Sequence, residues 1–421
     1  MQSSIKLRLT VMNFLQFAVW GAYLTSMGRY LGTAGFGSEI GNFYAMQGLV
    51  SLFMPALMGI VADRWIPAQR LLGVCHMLAG MLMLGVFLYT QTDTPSYPTL
   101  FALYSLSVAF YMPTLALSNS VAYTSLDQAG LDLVKSFPPI RVFGTVGFIC
   151  TMITVSLLGL EATSGQFAVS AIISLVLAVY AQTLPNCPTA PKGQSKSLVE
   201  ALGLRAFVLF KQRKMALFFI FSMLLGVSLQ ITNGFANPFI STFGEIPAYA
   251  DTFGVKYANI LISLSQLSET LCILLIPFAL RRFGIRRVML IAMVAWVLRF
   301  ALLGLGNPGS GVWLFLLSMI VYGVAFDFFN VSGSLFVDKE TDPSIRSSAQ
   351  GLFMIMTNGI GATLGSLGAQ AVINRFVYSQ SEATAILSGW TTSWYIFAGY
   401  AAVVAVLFAV LFRYNTATEA K

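Results

Sequence analysis

PALMGIVADR at residues 55–64 ends a long apolar stretch and places a proline before a basic turn. PFALRRFG at residues 277–284 has the same arrangement, and it lies at the corresponding point of the second half of the chain. Because the two stretches occupy equivalent places, they favour a chain that is built from two homologous halves.

The composition indicates a membrane protein that crosses the bilayer several times. Of the 421 residues, 57% are hydrophobic and only 10% are charged, whereas soluble domains have about 25% charged residues. The net charge of +8 comes from short loops between apolar stretches, so it reflects membrane topology and predicts no nucleic-acid partner. The four cysteines show no pairing pattern or metal-ligand spacing, so we expect free thiols and no metal site.

A transmembrane helix needs about 20 mostly apolar residues. Twelve stretches meet this requirement: 7–31, 40–62, 70–91, 97–124, 138–159, 165–184, 215–241, 256–280, 285–305, 311–336, 346–375 and 389–413. We expect the first to be a retained helix and not a cleaved signal peptide. A polar linker at 185–214 separates an N-terminal half (1–184) from a C-terminal half (215–421). The predicted fold is an all-α membrane protein with twelve transmembrane helices in two pseudo-symmetric six-helix halves.

The positive-inside rule sets the orientation of these helices. One set of loops holds most of the basic residues, namely Lys6, Arg8, Arg64, Arg70, Lys135, those of the linker, Arg281, Arg282, Arg286, Arg287, Lys339, Arg413 and Lys421. The opposite loops hold only Arg29, Lys256 and Arg375. Both termini and the linker are therefore predicted to be cytoplasmic.

Two carboxylates, Glu269 and Asp327, lie deep inside predicted spans. An ionised side chain in the bilayer costs from roughly 3 to more than 10 kcal/mol. Because the rest of the membrane region is depleted of charge, these two residues predict a substrate or proton pathway.

Further polar and aromatic residues recur at helical spacing inside the spans. They are Arg141, Thr145 and Phe148 in the fifth span, Gln230 and Asn233 in the seventh, Gln266 beside Glu269 in the eighth, and Tyr322 and Phe326 beside Asp327 in the tenth. Carboxamides on two neighbouring spans suit a planar ligand that bonds through its edge, since each amide offers two donors and an acceptor. The two rings of the tenth span, one turn apart, predict an aromatic wall.

Other intramembrane residues favour structural roles. The stripe Asn13, Gln16, Trp20 and Tyr23 of the first span is compatible either with hydrogen bonds between helices or with a cavity wall. We interpret His76 as a packed or interfacial residue in preference to a proton relay. We expect Arg299 to reach the interface or to pair locally. The spacing of Gly361, Gly365 and Gly368 predicts close helix contact.

Several segments resemble the bacterial nucleoside:proton symporter family of the major facilitator superfamily. They are FPPIR at 137–141, LQITN at 229–233, SQLSET at 265–270 and VYGVAFDFFN at 321–330. The G-x-x-x-D-R segment at 59–64 is similar to the loop motif of that superfamily, although the residues after Arg64 depart from it. The resemblance implies two six-helix halves with a substrate at mid-membrane between them.

The resemblance also implies a function and a ligand set. We expect a proton-coupled symporter that imports purine and pyrimidine nucleosides, such as uridine and adenosine, across the bacterial inner membrane. It would act as a monomer, by alternating access, in the lipid bilayer and without a cofactor. The implied substrate residues are Arg141, Thr145, Phe148, Gln230, Asn233, Gln266, Glu269, Tyr322, Phe326 and Asp327. Asp327 or Glu269 would carry the coupled proton, and we favour Asp327 for coupling and Glu269 as the direct ligand.

Residue chemistry leaves two alternatives to this function. The first is a transporter of the same fold for another cargo, either a purine-selective nucleoside such as xanthosine or a sugar. The second is a membrane sensor or scaffold, which the short tail after Arg413 argues against. No cluster of basic residues suits a phosphate, so a nucleoside is favoured over a nucleotide. No ATP-binding loop or catalytic triad is found, so we expect neither ATP drive nor an enzyme.

Overall fold

The computed structural model describes residues 2–189 and 204–414, and over these ranges the chain is helical and contains no strand. The α-helices are α1 (Gln2–Gly21), α2 (Met27–Thr33), α3 (Ile40–Ser51), α4 (Met54–Arg64), α5 (Ala68–Tyr89), α6 (Tyr97–Gln128), α7 (Leu133–Leu157), α8 (Gly165–Ala181), α9 (Arg213–Thr242), α10 (Phe253–Lys256), α11 (Ala258–Cys272), α12 (Ile276–Leu305), α13 (Val312–Glu340), α14 (Arg346–Met354), α15 (Ala362–Phe376) and α16 (Ala383–Leu411). Tighter 3₁₀ turns are found at Gly37–Glu39, Leu204–Lys211, Phe243–Glu245 and Ile273–Leu275, and a π-helical segment at Ile355–Gly361.

Nine helical stretches in this part of the chain are long and apolar enough to cross a membrane. One of them, Ala258–Leu305, covers both predicted spans 256–280 and 285–305. The shorter helix Gly165–Ala181 lies in another predicted span, and the predicted span 7–31 is divided between α1 and α2. The all-helical membrane fold is thus confirmed, whereas the number twelve stays a prediction.

A kink at Gly284, inside α12, separates the predicted spans 256–280 and 285–305. This residue has φ 74° and ψ 163°, a conformation that glycine adopts without the steric strain of a Cβ atom. Gly284 lies among the arginines of the basic turn. The kink therefore allows the chain to turn between two spans while the backbone remains nearly helical on either side.

The chain divides into two compact units. Within the described residues, the first contains residues 2–30 and 49–189, and the second contains residues 31–48 and 204–414. Residues 31–48 group with the second unit because their backbone bonds to α15, where the Gly41 amide donates to Gln370 Oε1 over 2.5 Å. The predicted halves 1–184 and 215–421 stay a prediction, and most of the predicted linker, 190–203, lies outside the described residues.

Helices pair in the same order within each unit. In the first unit α1 packs on α7, α5 packs on α6 and α8, and α4 packs on α6. In the second unit α9 packs on α15, α12 packs on α13 and α16, and α11 packs on α13. The same pattern of helix pairs thus recurs in the two units.

Glycines allow α9 to approach the π-helical segment and α15 closely. A Cβ atom at Gly361 would lie 2.5 Å from the Met223 carbonyl oxygen, and one at Gly365 would collide with the backbone of Val227. A Cβ atom at Gly368 would meet nothing within 4 Å. The predicted close contact is therefore confirmed for Gly361 and Gly365 and is wrong for Gly368.

Candidate substrate and proton site

The polar face predicted in the first unit lies on α7. Arg141 is half-buried, and its guanidinium carbon lies 4.0 Å from the centre of the Phe17 ring on α1. Phe148 is buried, and its ring makes an edge contact with Trp20 at 6.3 Å between centroids. Thr145 lies between them on the same face and is half-buried. The packing of α1 on α7 thus fixes the Arg141 guanidinium and the Phe148 ring on one face of α7.

Two residues of the polar stripe, Asn13 and Gln16, make hydrogen bonds inside the first unit. Gln16 is fully buried and donates from Nε2 to Thr114 Oγ1 over 2.7 Å. Asn13 donates to the Leu9 carbonyl of its own helix. Of the two interpretations offered for this stripe, hydrogen bonding between helices holds for Gln16.

His76 lies at the centre of the same buried network. Its Nε2 donates to Gln16 Oε1 over 2.8 Å, and its Nδ1 lies 2.9 Å from Ser174 Oγ. The imidazole therefore joins α5 to both α1 and α8. This arrangement supports the interpretation of His76 as a packed residue, and it excludes an interfacial position because the side chain is fully buried.

In the second unit, α9 presents a pair of amides. Asn233 Nδ2 donates to Gln230 Oε1 over 2.9 Å. Gln230 is buried and Asn233 is half-buried. Since this bond uses one donor and one acceptor, Gln230 retains its NH₂ group and Asn233 retains its carbonyl oxygen for other partners.

The helix α11 carries the second amide and the first carboxylate. Gln266 and Glu269 are one turn apart and half-buried. Serines on the neighbouring face fasten this helix to α13: Ser268 donates to the Ile320 carbonyl, and Ser265 Oγ donates to Met319 Sδ over 3.0 Å. The register between α11 and α13 is therefore set close to the carboxylates.

The helix α13 carries the aromatic wall and the second carboxylate. The rings of Tyr322 and Phe326 are stacked, with centroids 5.7 Å apart and planes inclined by 13°. Asp327 is only 5% exposed, and its Oδ2 atom has no hydrogen-bond partner among the residues that the structure describes. Glu269 is close enough to act on Asp327 electrostatically. The structure thus brings together the two carboxylates that the sequence analysis selected.

A cleft opens beside Phe326 within the second unit. Its lining is mostly apolar and consists of Leu225, Gly226, Leu229, Trp296, Ala325, Phe326, Asn330 and Thr357. Of the predicted substrate residues, only Phe326 contributes to this lining. The cleft places an apolar surface beside the Phe326 ring, one residue before Asp327 in the chain.

Two residues of α12 lie in this region: Trp296, which sequence reasoning missed, and Arg299, for which it predicted only an interfacial or locally paired position. Trp296 makes an edge contact with Tyr322 at 5.9 Å, and Arg299 lies 4.5 Å from the centre of the same ring. Arg299 is 2% exposed, so the expected interface position is wrong and the local pairing is right. The feature of the sequence that could have indicated this contact is an arginine inside an apolar span, one turn from a tryptophan.

Comparison with known proteins decides the family. A family model described as nucleoside H⁺ symporter matches residues 3–417. The chain belongs to this family. It is 50% identical to the xanthosine permease of Escherichia coli (strain K12) over 98% of this chain and 97% of the relative. It is also 47% identical to the nucleoside permease NupG of the same organism, with the same shares covered.

A solved structure supports the fold of this symporter family member. The crystal structure of the nucleoside transporter NupG superposes with a TM-score of 0.89 at 46% identity, covering 98% of this chain and 100% of that one. Together with the apolar helices, family membership makes the chain a multi-pass inner-membrane protein. The resemblance identified from the four sequence segments is therefore confirmed.

Proposed function

We propose that this protein is a proton-coupled symporter that imports nucleosides across the bacterial inner membrane by alternating access. The observation that carries the proposal is the buried Asp327, whose Oδ2 lacks a hydrogen-bond partner in the described structure, beside Glu269 and a stacked aromatic pair. A carboxylate in such a place is expensive to keep ionised. Its proximity to groups that suit a nucleoside links proton uptake to substrate binding.

The second unit offers groups for both parts of a nucleoside. Ribose hydroxyls suit the amides of Gln230, Asn233 and Gln266, which both donate and accept, and the carboxylate of Glu269, which accepts a stronger, charge-assisted hydrogen bond. The base suits the rings of Tyr322 and Phe326, which present flat apolar faces. In the first unit, Arg141, Thr145 and Phe148 form a face of similar chemistry, and their part in binding stays a prediction.

Proton coupling is assigned to Asp327, with Glu269 as the direct ligand of the substrate. Taking up a proton removes a buried charge and so changes the relative free energies of the conformations that open to the two sides. Glu269 is the more exposed of the two carboxylates, which suits a residue that contacts the substrate. The two roles are separable by the variants considered in the Discussion.

Uptake of labelled uridine by proteoliposomes that contain the purified protein tests this function. With the outside more acidic than the inside, uridine should accumulate above its external concentration, and a protonophore should abolish the accumulation. Liposomes without protein provide the control. Uptake that only equilibrates would leave the cargo right and the coupling wrong, and no uptake would overturn the proposal.

A purine-selective nucleoside is the second candidate cargo, because the xanthosine permease is 50% identical to this chain. Competition of uridine uptake by adenosine, xanthosine and ribose separates the possibilities. Inhibition by both nucleosides supports broad specificity, whereas xanthosine uptake without uridine uptake supports the selective cargo. Inhibition by ribose alone would favour a sugar.

We place both termini and the linker in the cytoplasm, and we take the monomer as the working unit. The orientation rests on the asymmetry of basic residues between the two sets of loops. Reporter fusions at the C-terminus that are active only in the cytoplasm or only in the periplasm would test the orientation. No catalytic role is proposed, because the relatives named above are permeases.

A further inference from the structure

Arg299 is a charged residue that is buried in the second unit and has no part in the proposed transport mechanism. It lies on α12 and is 2% exposed. The salt bridges resolved in the described part of the chain join other residues, such as Lys214 with Glu340 and Arg346 with Asp338. A buried charge without a direct ion pair is unfavourable unless other groups stabilise it.

Three groups from two neighbouring helices stabilise the Arg299 guanidinium. Its Nη1 atom donates to the Ser318 carbonyl oxygen over 2.9 Å and lies 3.4 Å from Ser265 Oγ. Its central carbon lies 4.5 Å from the centre of the Tyr322 ring. In return, Ser318 Oγ donates to the Arg299 carbonyl oxygen over 2.9 Å. One side chain on α12 thus connects α11 with α13.

The contacts of Arg299 lie one turn away from residues of the proposed site. Ser265 precedes Glu269 by four residues on α11, and Ser318 precedes Tyr322 by four residues on α13. Residues four apart lie above one another on the same helical face. Arg299 therefore fixes the turns that carry a proposed ribose ligand and a proposed base-stacking ring.

Tyr322 itself is held on several sides. Arg299 covers the ring, Trp296 meets it edge-on, and Phe326 stacks with it at an inclination of 13°. A guanidinium is planar and stacks on an aromatic face, whereas a lysine ammonium is a compact point charge. The orientation of the Tyr322 ring thus depends on arginine and not merely on a positive charge.

We propose that Arg299 is a positioning residue for nucleoside binding, which holds the Tyr322 ring, and with it the stacked Phe326 ring, in the plane that meets the base. The proposal rests on the proposed function, since it assumes a nucleoside in contact with the Tyr322–Phe326 pair. Arg299 acts through Tyr322 and does not touch the substrate. Its effect on affinity should therefore disappear once the Tyr322 ring has been removed.

A double-mutant cycle with calorimetric uridine binding to the purified protein tests this dependence. We expect Arg299→Lys to raise the Kd for uridine about tenfold, because it loses the stacking contact. We expect the double variant with Tyr322→Ala to bind no more weakly than Tyr322→Ala alone. Independent effects that multiply in the double variant would overturn the proposal, as would an unchanged Kd in Arg299→Lys.

Arg286→Lys is the matched control for Arg299→Lys. Arg286 also lies on α12, but it donates to the Phe412 and Ala409 carbonyl oxygens, each over 2.7 Å, at the end of α16. A merely structural role predicts that both variants lose stability and that neither changes the Kd. If the wild-type protein binds no nucleoside, the proposed function is wrong. If it binds nucleoside but the effects of Arg299→Lys and Tyr322→Ala on the binding free energy are additive, only the inference about Arg299 is wrong.

A second variant keeps the proposal testable if Arg299→Lys does not fold. Ser265→Ala removes the contact between Arg299 and the turn before Glu269 while leaving the charge in place. We expect it to raise the Kd for uridine about threefold, as for the loss of one modest hydrogen bond. Ser366→Ala, which removes a bond inside α15, should leave the Kd unchanged. Equal effects in the two serine variants would contradict the proposal.

Discussion

The rings of Tyr322 and Phe326 lie one helical turn apart on α13 and are stacked, with centroids separated by 5.7 Å. The stacking aligns their two planes, so a base lying against one ring has a second flat surface beside it. Tyr322 is nearly buried, whereas Phe326 is half-buried and lines the neighbouring cleft. Because the two rings differ in exposure, their removal should weaken nucleoside binding to different extents.

Removal of either ring should weaken nucleoside binding, and we expect Phe326 to make the more direct contact. We expect Phe326→Ala to raise the Kd for uridine about tenfold, the size of a lost base–aromatic stack. Tyr322→Phe keeps the ring and should bind uridine like the wild type. Calorimetry on the purified variants provides the measurement. Equal losses in Tyr322→Phe and Tyr322→Ala would show that the hydroxyl, and not the ring, is the important group.

The two carboxylates should separate into coupling and binding roles. Asp327→Asn mimics the protonated carboxyl group in shape, so the variant should still exchange labelled uridine for unlabelled uridine across the membrane. It should not accumulate uridine when a proton gradient is imposed. Glu269→Gln should lose affinity and therefore both activities. An Asp327→Asn variant that still concentrates uridine would refute this assignment.

The amide pair on α9 should act as one unit. Asn233 donates to Gln230 Oε1 and so leaves the NH₂ group of Gln230 as the end available to a substrate. We expect Gln230→Ala and Asn233→Ala each to weaken uridine binding by about 1 kcal/mol. The double variant should be scarcely weaker than either single variant, because the two residues share one interaction. Calorimetry would measure this coupling, and additive losses would show that each amide binds the ligand independently.

His76 should affect stability and leave proton coupling intact. Replacement of His76 by alanine removes the partner of Gln16 Oε1, which lies in a fully buried network. Leaving one buried polar group unsatisfied costs about 1–3 kcal/mol, so thermal unfolding of the purified protein should occur at a lower temperature. The accumulation ratio for uridine should stay as in the wild type when corrected for folded protein. Normal stability with lost accumulation would instead support a proton relay.

The sequence was sufficient to select Glu269 and Asp327, because the cost of a charge in the bilayer applies wherever the helix is placed. Helical spacing also placed Tyr322 and Phe326 on one face. Sequence reasoning could not place Arg299, because only the packing of α12 on α13 shows that its side chain contacts Tyr322 and not the membrane interface. Similarly, the grouping of residues 31–48 with the second unit depends on contacts with α15 that are distant in sequence.

The close approach of α9 and α15 provides the last prediction. A side chain at Gly365 would collide with the backbone of Val227, whereas a side chain at Gly368 would enter open space. Gly365→Val should therefore separate α15 from α9, which carries Gln230 and Asn233, and should lower both thermal stability and uridine affinity. Overpacking of this kind costs about 1–3 kcal/mol. Gly368→Val lies one turn away on the same helix and serves as the matched control, with both properties expected to stay near the wild type. Equal effects in the two variants would mean that helix propensity, and not the contact with α9, determines the result, since valine replaces glycine in the same helix in both cases.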